Sequence, residues 1–277
     1  MARLELACVF VMAVAAVAWA VASARPAMGQ QATNQASATQ PGAGLLTFRE
    51  RVSFHVYENH SDGAGGEQDA LELAADNVFV YGVTGDFAVM AHLPVKVRWF
   101  DRGDDSALRD SADIDGGLAD WTLMGQWRFL RVDEVGINTS RYAMQFGVEG
   151  PSYNDGLSSE SFDPFVGLSM THIRGRHGFG GAVRYKVNTD SEPNPLGLGN
   201  GDSDVLTYDA SYLYRLDPVA YTASTTASTY LQIELNSLYE MDGDRRTLLS
   251  PGLLFEAQTW AAEVSVQLPV DQRMTDS

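Results

Sequence analysis

From Leu45 to the end of the chain the strongest regularity is an alternation of period two. In residues 46–57, Leu46, Phe48, Val52, Phe54 and Val56 share one parity, opposed by Thr47, Arg49, Arg51, Ser53 and His55. In residues 87–99, Phe87, Val89, Ala91, Leu93, Val95, Val97 and Trp99 alternate with His92, Lys96 and Arg98. Trp121, Leu123, Trp127 and Phe129 oppose Asp120, Thr122, Gln126 and Arg128, and Trp260, Ala262, Val264, Val266 and Leu268 oppose Glu263, Ser265 and Gln267. Successive side chains of a strand point to opposite faces, so this pattern demands strands with one apolar and one polar face. No helical period of comparable strength competes with it.

Eleven strands are predicted, near residues 46–58, 70–82, 87–99, 117–130, 140–149, 162–173, 178–187, 204–215, 229–239, 247–256 and 260–269. Most are longer than the usual soluble strand of about 5–6 residues and match the about 9–11 that a tilted membrane strand needs. The connections tend to alternate in length. Residues 59–69, 100–116, 150–161 and 188–203 are long and rich in Gly, Asp, Ser and Asn, whereas 83–86, 174–177 and 257–259 are tight. Outer-membrane barrels have this asymmetry of short periplasmic turns and longer outer loops. The connection at 216–228 departs from the alternation by its length, and 240–246 by its modest size.

The N-terminus reads as an export signal. Arg3 precedes the apolar run at residues 6–22, and Ala22-Ser23-Ala24 supplies small residues for cleavage. A retained membrane helix is the competing reading, opposed by Pro26 and the polar stretch that follows. Residues 1–24 are thus expected to be a signal peptide. Residues 25–44, rich in Ala, Gln and Thr, are expected to be a disordered polar leader. The single cysteine, Cys8, lies in the signal, so disulfides, thiol catalysis and Cys-based metal sites are excluded from the exported chain. The formal net charge of −17 argues against nucleic acid as a partner.

Alternation alone leaves open which face points inward: apolar in a soluble barrel, polar in a membrane barrel. The signal, the strand lengths and the aromatic residues near strand ends favour apolar outward. Those aromatics are Phe48, Tyr57, Tyr81, Trp99, Phe100, Phe129, Tyr142, Phe162, Tyr185, Tyr214, Tyr239 and Trp260. The expected fold is therefore all-β: an antiparallel transmembrane β-barrel over residues 45–277, with eleven readable strands and about twelve in the intact architecture. Bacterial single-chain barrels have even strand numbers. The final strand is accordingly expected to be missing, or to be formed poorly by residues 269–277.

Several stretches carry a family resemblance. They are Asn77-Val78-Phe79-Val80-Tyr81-Gly82-Val83-Thr84-Gly85-Asp86, Leu93-Pro94-Val95, Gly117-Leu118-Ala119-Asp120-Trp121-Thr122-Leu123-Met124-Gly125 and Trp127-Arg128-Phe129-Leu130. To these add Asp163-Pro164-Phe165-Val166-Gly167-Leu168, Ser250-Pro251-Gly252-Leu253-Leu254 and Gln267-Leu268-Pro269-Val270. Over about residues 45–269 the chain resembles the outer-membrane proteins named for the meta-pathway of phenol degradation. The resemblance implies a channel-like role at the bacterial outer membrane, for small and hydrophobic or aromatic compounds. Family members finish with a further strand ending in an aromatic residue, which has no counterpart here.

The polar face supplies the candidate lumen: Arg49, Arg51, Lys96, Arg98, Asp120, Arg128, Arg141, Glu149, Arg184, Lys186, Asp209, Arg215, Glu234 and Glu263, with Glu256 beside them. Such charges select solutes in an open pore; in a narrow barrel they neutralise one another. The expected partners are outer-membrane lipid, the barrel-assembly machinery and a small-molecule solute, with no cofactor and no metal. The acidic loops fit solvated charge and lack calcium-loop spacing. Three readings stay open: a passive channel, a non-conducting structural or surface barrel, and a lipid hydrolase. The last rests on His60 and Ser61 alone. As neighbours on a strand they point to opposite faces and are poorly placed to share a proton, so no enzyme activity is expected.

Overall fold

The computed structural model describes residues 37–61, 67–102, 114–134, 136–154, 156–189, 202–257 and 260–273. It is an all-β, antiparallel sheet, strongly curled into a half-barrel. The strands are β1 (Leu46–Ser61), β2 (Glu67–Gly82), β3 (Phe87–Arg102), β4 (Ile114–Leu118), β5 (Trp121–Asp133), β6 (Thr139–Gly150) and β7 (Asp163–Arg174). They continue as β8 (His177–Lys186), β9 (Val205–Asp217), β10 (Ala227–Glu240), β11 (Arg245–Ala257), β12 (Ala261–Ser265) and β13 (Leu268–Arg273). Each ladder joins strands that are consecutive or separated only by the short β4 or β12, which keeps the connections local. Among the described residues no helix is long and apolar enough to cross a membrane.

Thirteen strands fill only eleven places, because two places hold a broken strand. β3 pairs with β4 through Val95–Trp99 and with β5 through Phe87–His92. β11 pairs with β12 through Gly252–Glu256 and with β13 through Arg245–Leu249. Each break faces a proline. Pro94 accepts from Ala119 N at 2.9 Å, and Pro251 from Val266 N at 3.1 Å. In an antiparallel ladder a residue's N–H and C=O point to the same neighbour, and proline has no N–H to return. The facing strand therefore loses one rung and leaves the ladder there. The stretch considered as a poor twelfth strand is resolved by this pairing: Leu268–Arg273 lies along β11 and continues the eleventh place.

Eleven antiparallel places make the two edges run in the same direction. β1 and the β12–β13 strand are these edges, and no ladder joins them among the described residues.

Alternation sets the two surfaces. On β7, Asp163, Phe165, Gly167 and Ser169 are buried while Pro164, Val166, Leu168 and Met170 are exposed. The outward rows are apolar: Phe54 is 63% exposed, Trp127 52% and Val264 68%, with Phe129, Ile233 and Leu253 beside them in kind. The inward rows are polar, and Gln145, Gln232 and Glu234 are fully enclosed. Apolar side chains thus face out and polar ones in, the inverse of a water-soluble barrel. Two of the aromatics read as strand-end markers depart from this: Phe100 is buried and packs with Ala70 and Tyr57 inside the curl. Tyr81, Phe129, Tyr142, Phe162, Tyr185 and Trp260 point outward as expected.

Candidate functional site

The inner face carries most of the predicted charges, and the register decides their partners. β1, β2 and β3 bring Arg51 Nε to 2.8 Å from Asp76 Oδ2 and His92 Nε2 to 2.9 Å from Asp76 Oδ1. One turn of the pleat higher, Arg98 Nε donates to Glu72 Oε2 at 2.6 Å, and Lys96 Nζ stands 3.8 Å from Glu72 Oε1. Arg98 is only 1% exposed. Across the curl, Lys186 on β8 bonds Glu149 on β6 at 2.8 Å. Arg128 on β5 pairs with Asp86 at 3.0 Å, and Arg141 on β6 lies 4.0 Å from Asp133. Burial of a charge is costly unless it is paired, and these pairs satisfy that requirement.

The remaining candidates have other neighbours. Arg49 lies two residues below Arg51 on the same parity of β1. Arg184 stacks its guanidinium on Phe165 at 4.6 Å. Asn236 donates to Asp209 at 3.2 Å. Gln232 donates to Glu234 at 3.0 Å and also bonds Glu263. Arg215 donates to the Pro218 carbonyl at 2.9 Å and stacks on Tyr221 at 4.0 Å.

Asp120 is the exception among the predicted lumen residues. It sits in the gap between β4 and β5, and its carboxylate accepts from Ser152 N at 2.9 Å, Ser158 Oγ at 2.6 Å and Ser159 N at 2.6 Å. It therefore folds the β6–β7 loop, residues 151–162, rather than lining a pathway. That loop dips inward. Leu157, Ser159 and Ser161 are buried, and Gly156 O accepts from Arg98 Nη1 at 2.5 Å.

The sequence reading overlooked the partners Glu72, Asp76 and Asp86. Glu72 and Asp76 share a parity opposite Leu71, Leu73 and Ala75 on β2, so the alternation already marked them as inward. It also overlooked the neutral ladder Gln126–Gln145–Ser169, whose bonds are 3.1 and 3.4 Å. The largest departure is at the N-terminus. Within the leader expected to be disordered, Ser37, Ala38, Thr39 and Gln40 are buried inside the curl. The rest of the leader and the signal, residues 1–36, lie outside the described residues, as do the side chains of His60 and Ser61.

At the short-turn end a cavity of about 490 Å³ opens between the β5–β6 and β9–β10 connections, lined by Asp133, Arg141, Ile173, Tyr221, Tyr230 and Glu256. Tyr221 and Tyr230 share a hydroxyl bond of 2.6 Å, and Tyr230 donates to Glu256 at 3.1 Å. Leu213, Tyr230 and Leu254 form an apolar cluster beside it. At the opposite end Glu240, Asp242 and Asp244 gather their carboxylates within 4.8 Å at the β10–β11 turn. There Asp242 braces its surroundings, accepting from Ser203 Oγ at 3.0 Å and from Asp244 N at 3.1 Å.

A scan against protein-family models and a search of curated proteins give no match for this chain.

Proposed function

We propose that this protein is an outer-membrane barrel of the phenol meta-pathway type, a passive channel that moves small solutes through its charged interior. The observation that carries the reading is the inversion of the sheet, with continuous apolar rows outside and ion pairs and amides inside. Water-soluble monomers rarely expose contiguous apolar patches beyond a few hundred Å². A bilayer removes that penalty and demands that backbone groups be paired within the sheet. Ten-residue and longer strands, the short turns at one end and the apolar run at residues 6–22 support the same location. On this reading outer-membrane lipid and the barrel-assembly machinery are its partners. The 490 Å³ cavity, where Ile173, Tyr221 and Tyr230 stand among charged and hydroxyl groups, has room for a compact aromatic solute with a polar substituent.

The interior also supports a second reading, a non-conducting barrel, because chain segments fill it from both ends. Planar-bilayer recording separates the two. A channel gives discrete current steps. Lys96 and Arg141 have partly exposed side chains and are better selectivity probes than the enclosed Arg98 and Arg128. Lys96→Gln with Arg141→Gln should move the reversal potential toward cation preference, since positive charge leaves the pathway. Silent membranes containing folded protein would favour the non-conducting barrel.

A further inference from the structure

Residues 37–41 enter the curl from the short-turn end. The entry is built by a turn at Gly42–Gly44: Leu45 N donates to Gly42 O at 3.0 Å, and Gly44 N to Gly82 O at 2.7 Å. Gly44 has φ +77°, a conformation in which glycine is the favoured residue. Gly82 has a separate reason to be glycine. A Cβ there would come within 2.7 Å of Pro41 O and meet Gly42 O as well, so the segment passes directly over the β2 backbone.

From this anchor at one edge of the sheet the segment crosses to the opposite wall. β7 holds the sixth of the eleven places, the position farthest from both edges. Thr171 on β7 receives the segment's far end: Ser37 Oγ lies 3.0 Å from Thr171 Oγ1, and Ala38 N donates to the same oxygen at 3.2 Å. Between the walls, Gln126 Nε2 on β5 donates to Thr39 O at 3.3 Å, and Gln40 Nε2 donates to Gly85 O at 3.2 Å. The five Cα–Cα steps from Ser37 to Gly42 reach at most about 17 Å when extended, enough to span much of a barrel interior.

We propose that residues 37–41 are a built-in plug of the lumen, seated across its short-turn mouth and tethered there at Gly42–Gly44. The segment is mostly polar and so is its seat, and among the described residues the bonds that hold it are neutral. It is tied to β1 through the turn at Gly42–Gly44, so it opens by swinging out toward the short-turn side. Its effect on flow rests on the channel reading; its position does not.

The test is a disulfide across the seat. Ser37→Cys with Thr171→Cys places two sulfurs where hydroxyl oxygens now lie 3.0 Å apart, in the full-length chain with Cys8→Ser so that these are its two thiols. The folded barrel should form the bond on mild oxidation, read by mass spectrometry. Bilayer conductance should be low when oxidised and rise several-fold on reduction. If the bond forms and both states are silent, the seat is established and the channel reading fails. If the folded protein does not form the bond, or conducts equally in both states, the plug is wrong. Gly82→Val is the second route, should the double variant not fold. It should drive the segment off β2 and raise the conductance several-fold without loss of the folded form. Conductance equal to that of the parent would again overturn the proposal.

Discussion

Both ends of the interior are filled by chain, but by different chemistry. At the long-loop end the β6–β7 loop is held by charge: Asp120 accepts three hydrogen bonds and Arg98 donates to Gly156 O. That loop is also continuous with strands at both of its ends. At the short-turn end residues 37–41 are held by neutral groups: Ser37 and Ala38 on the Thr171 hydroxyl, Thr39 on the Gln126 amide and Gln40 on the Gly85 carbonyl. Hydrogen bonds to charged groups contribute about twice what neutral ones do. The loop closure therefore belongs to the fold, whereas the N-terminal closure is the one that can open at small cost.

This difference can be broken or sharpened by substitution, with stability read as urea unfolding in lipid vesicles by tryptophan fluorescence. The largest effect is expected for Arg98→Met. It leaves Glu72 buried with only Lys96 at 3.8 Å, and the loss should be about 4 kcal/mol. Asp120→Ala strands Ser159 N and the Ser158 hydroxyl and leaves Ser152 N only its 3.1 Å bond to Ser158 Oγ, so it should cost about 3 kcal/mol, with Asp120→Asn losing less. Gln126→Ala removes one donor to the plug and one acceptor for Gln145 and should cost about 1 kcal/mol. Ser37→Ala should cost about 0.5 kcal/mol or less while increasing the protease sensitivity of the leader. Were Ser37→Ala as damaging as Asp120→Ala, the two ends would be equally structural and the contrast would fail.

Much of the fold was legible because a sheet with one apolar and one polar face must alternate, and Val166 to Met170 on β7 do so without a fault, whereas the inward Phe165 breaks the pattern. What was illegible depends on contacts across strands. The break at Ala119–Asp120 is set by Pro94 on the neighbouring strand, so Asp120 read as one more inward charge when it is a loop anchor. The pairing of Arg51 with Asp76 and of Arg98 with Glu72 depends on the β1–β2–β3 register, which periodicity does not give. The leader's residues 37–41 were misread for a more general reason. Polar composition signals disorder when the interior is apolar and has nothing to offer Ser, Thr and Gln. Here the interior presents Thr171 and Gln126, so a polar segment can be buried with its hydrogen bonds made.

The central claim is that the apolar rows meet lipid and the polar rows line the interior. A nitroxide scan along residues 165–171 of β7, in protein refolded into vesicles, tests it directly. Oxygen partitions into hydrocarbon and a water-soluble nickel chelate does not. The account predicts high oxygen accessibility at Val166, Leu168 and Met170, low accessibility at Phe165, Gly167, Ser169 and Thr171, and so a period of two. The opposite phase, or chelate access at Leu168 equal to that of a free loop, would contradict it.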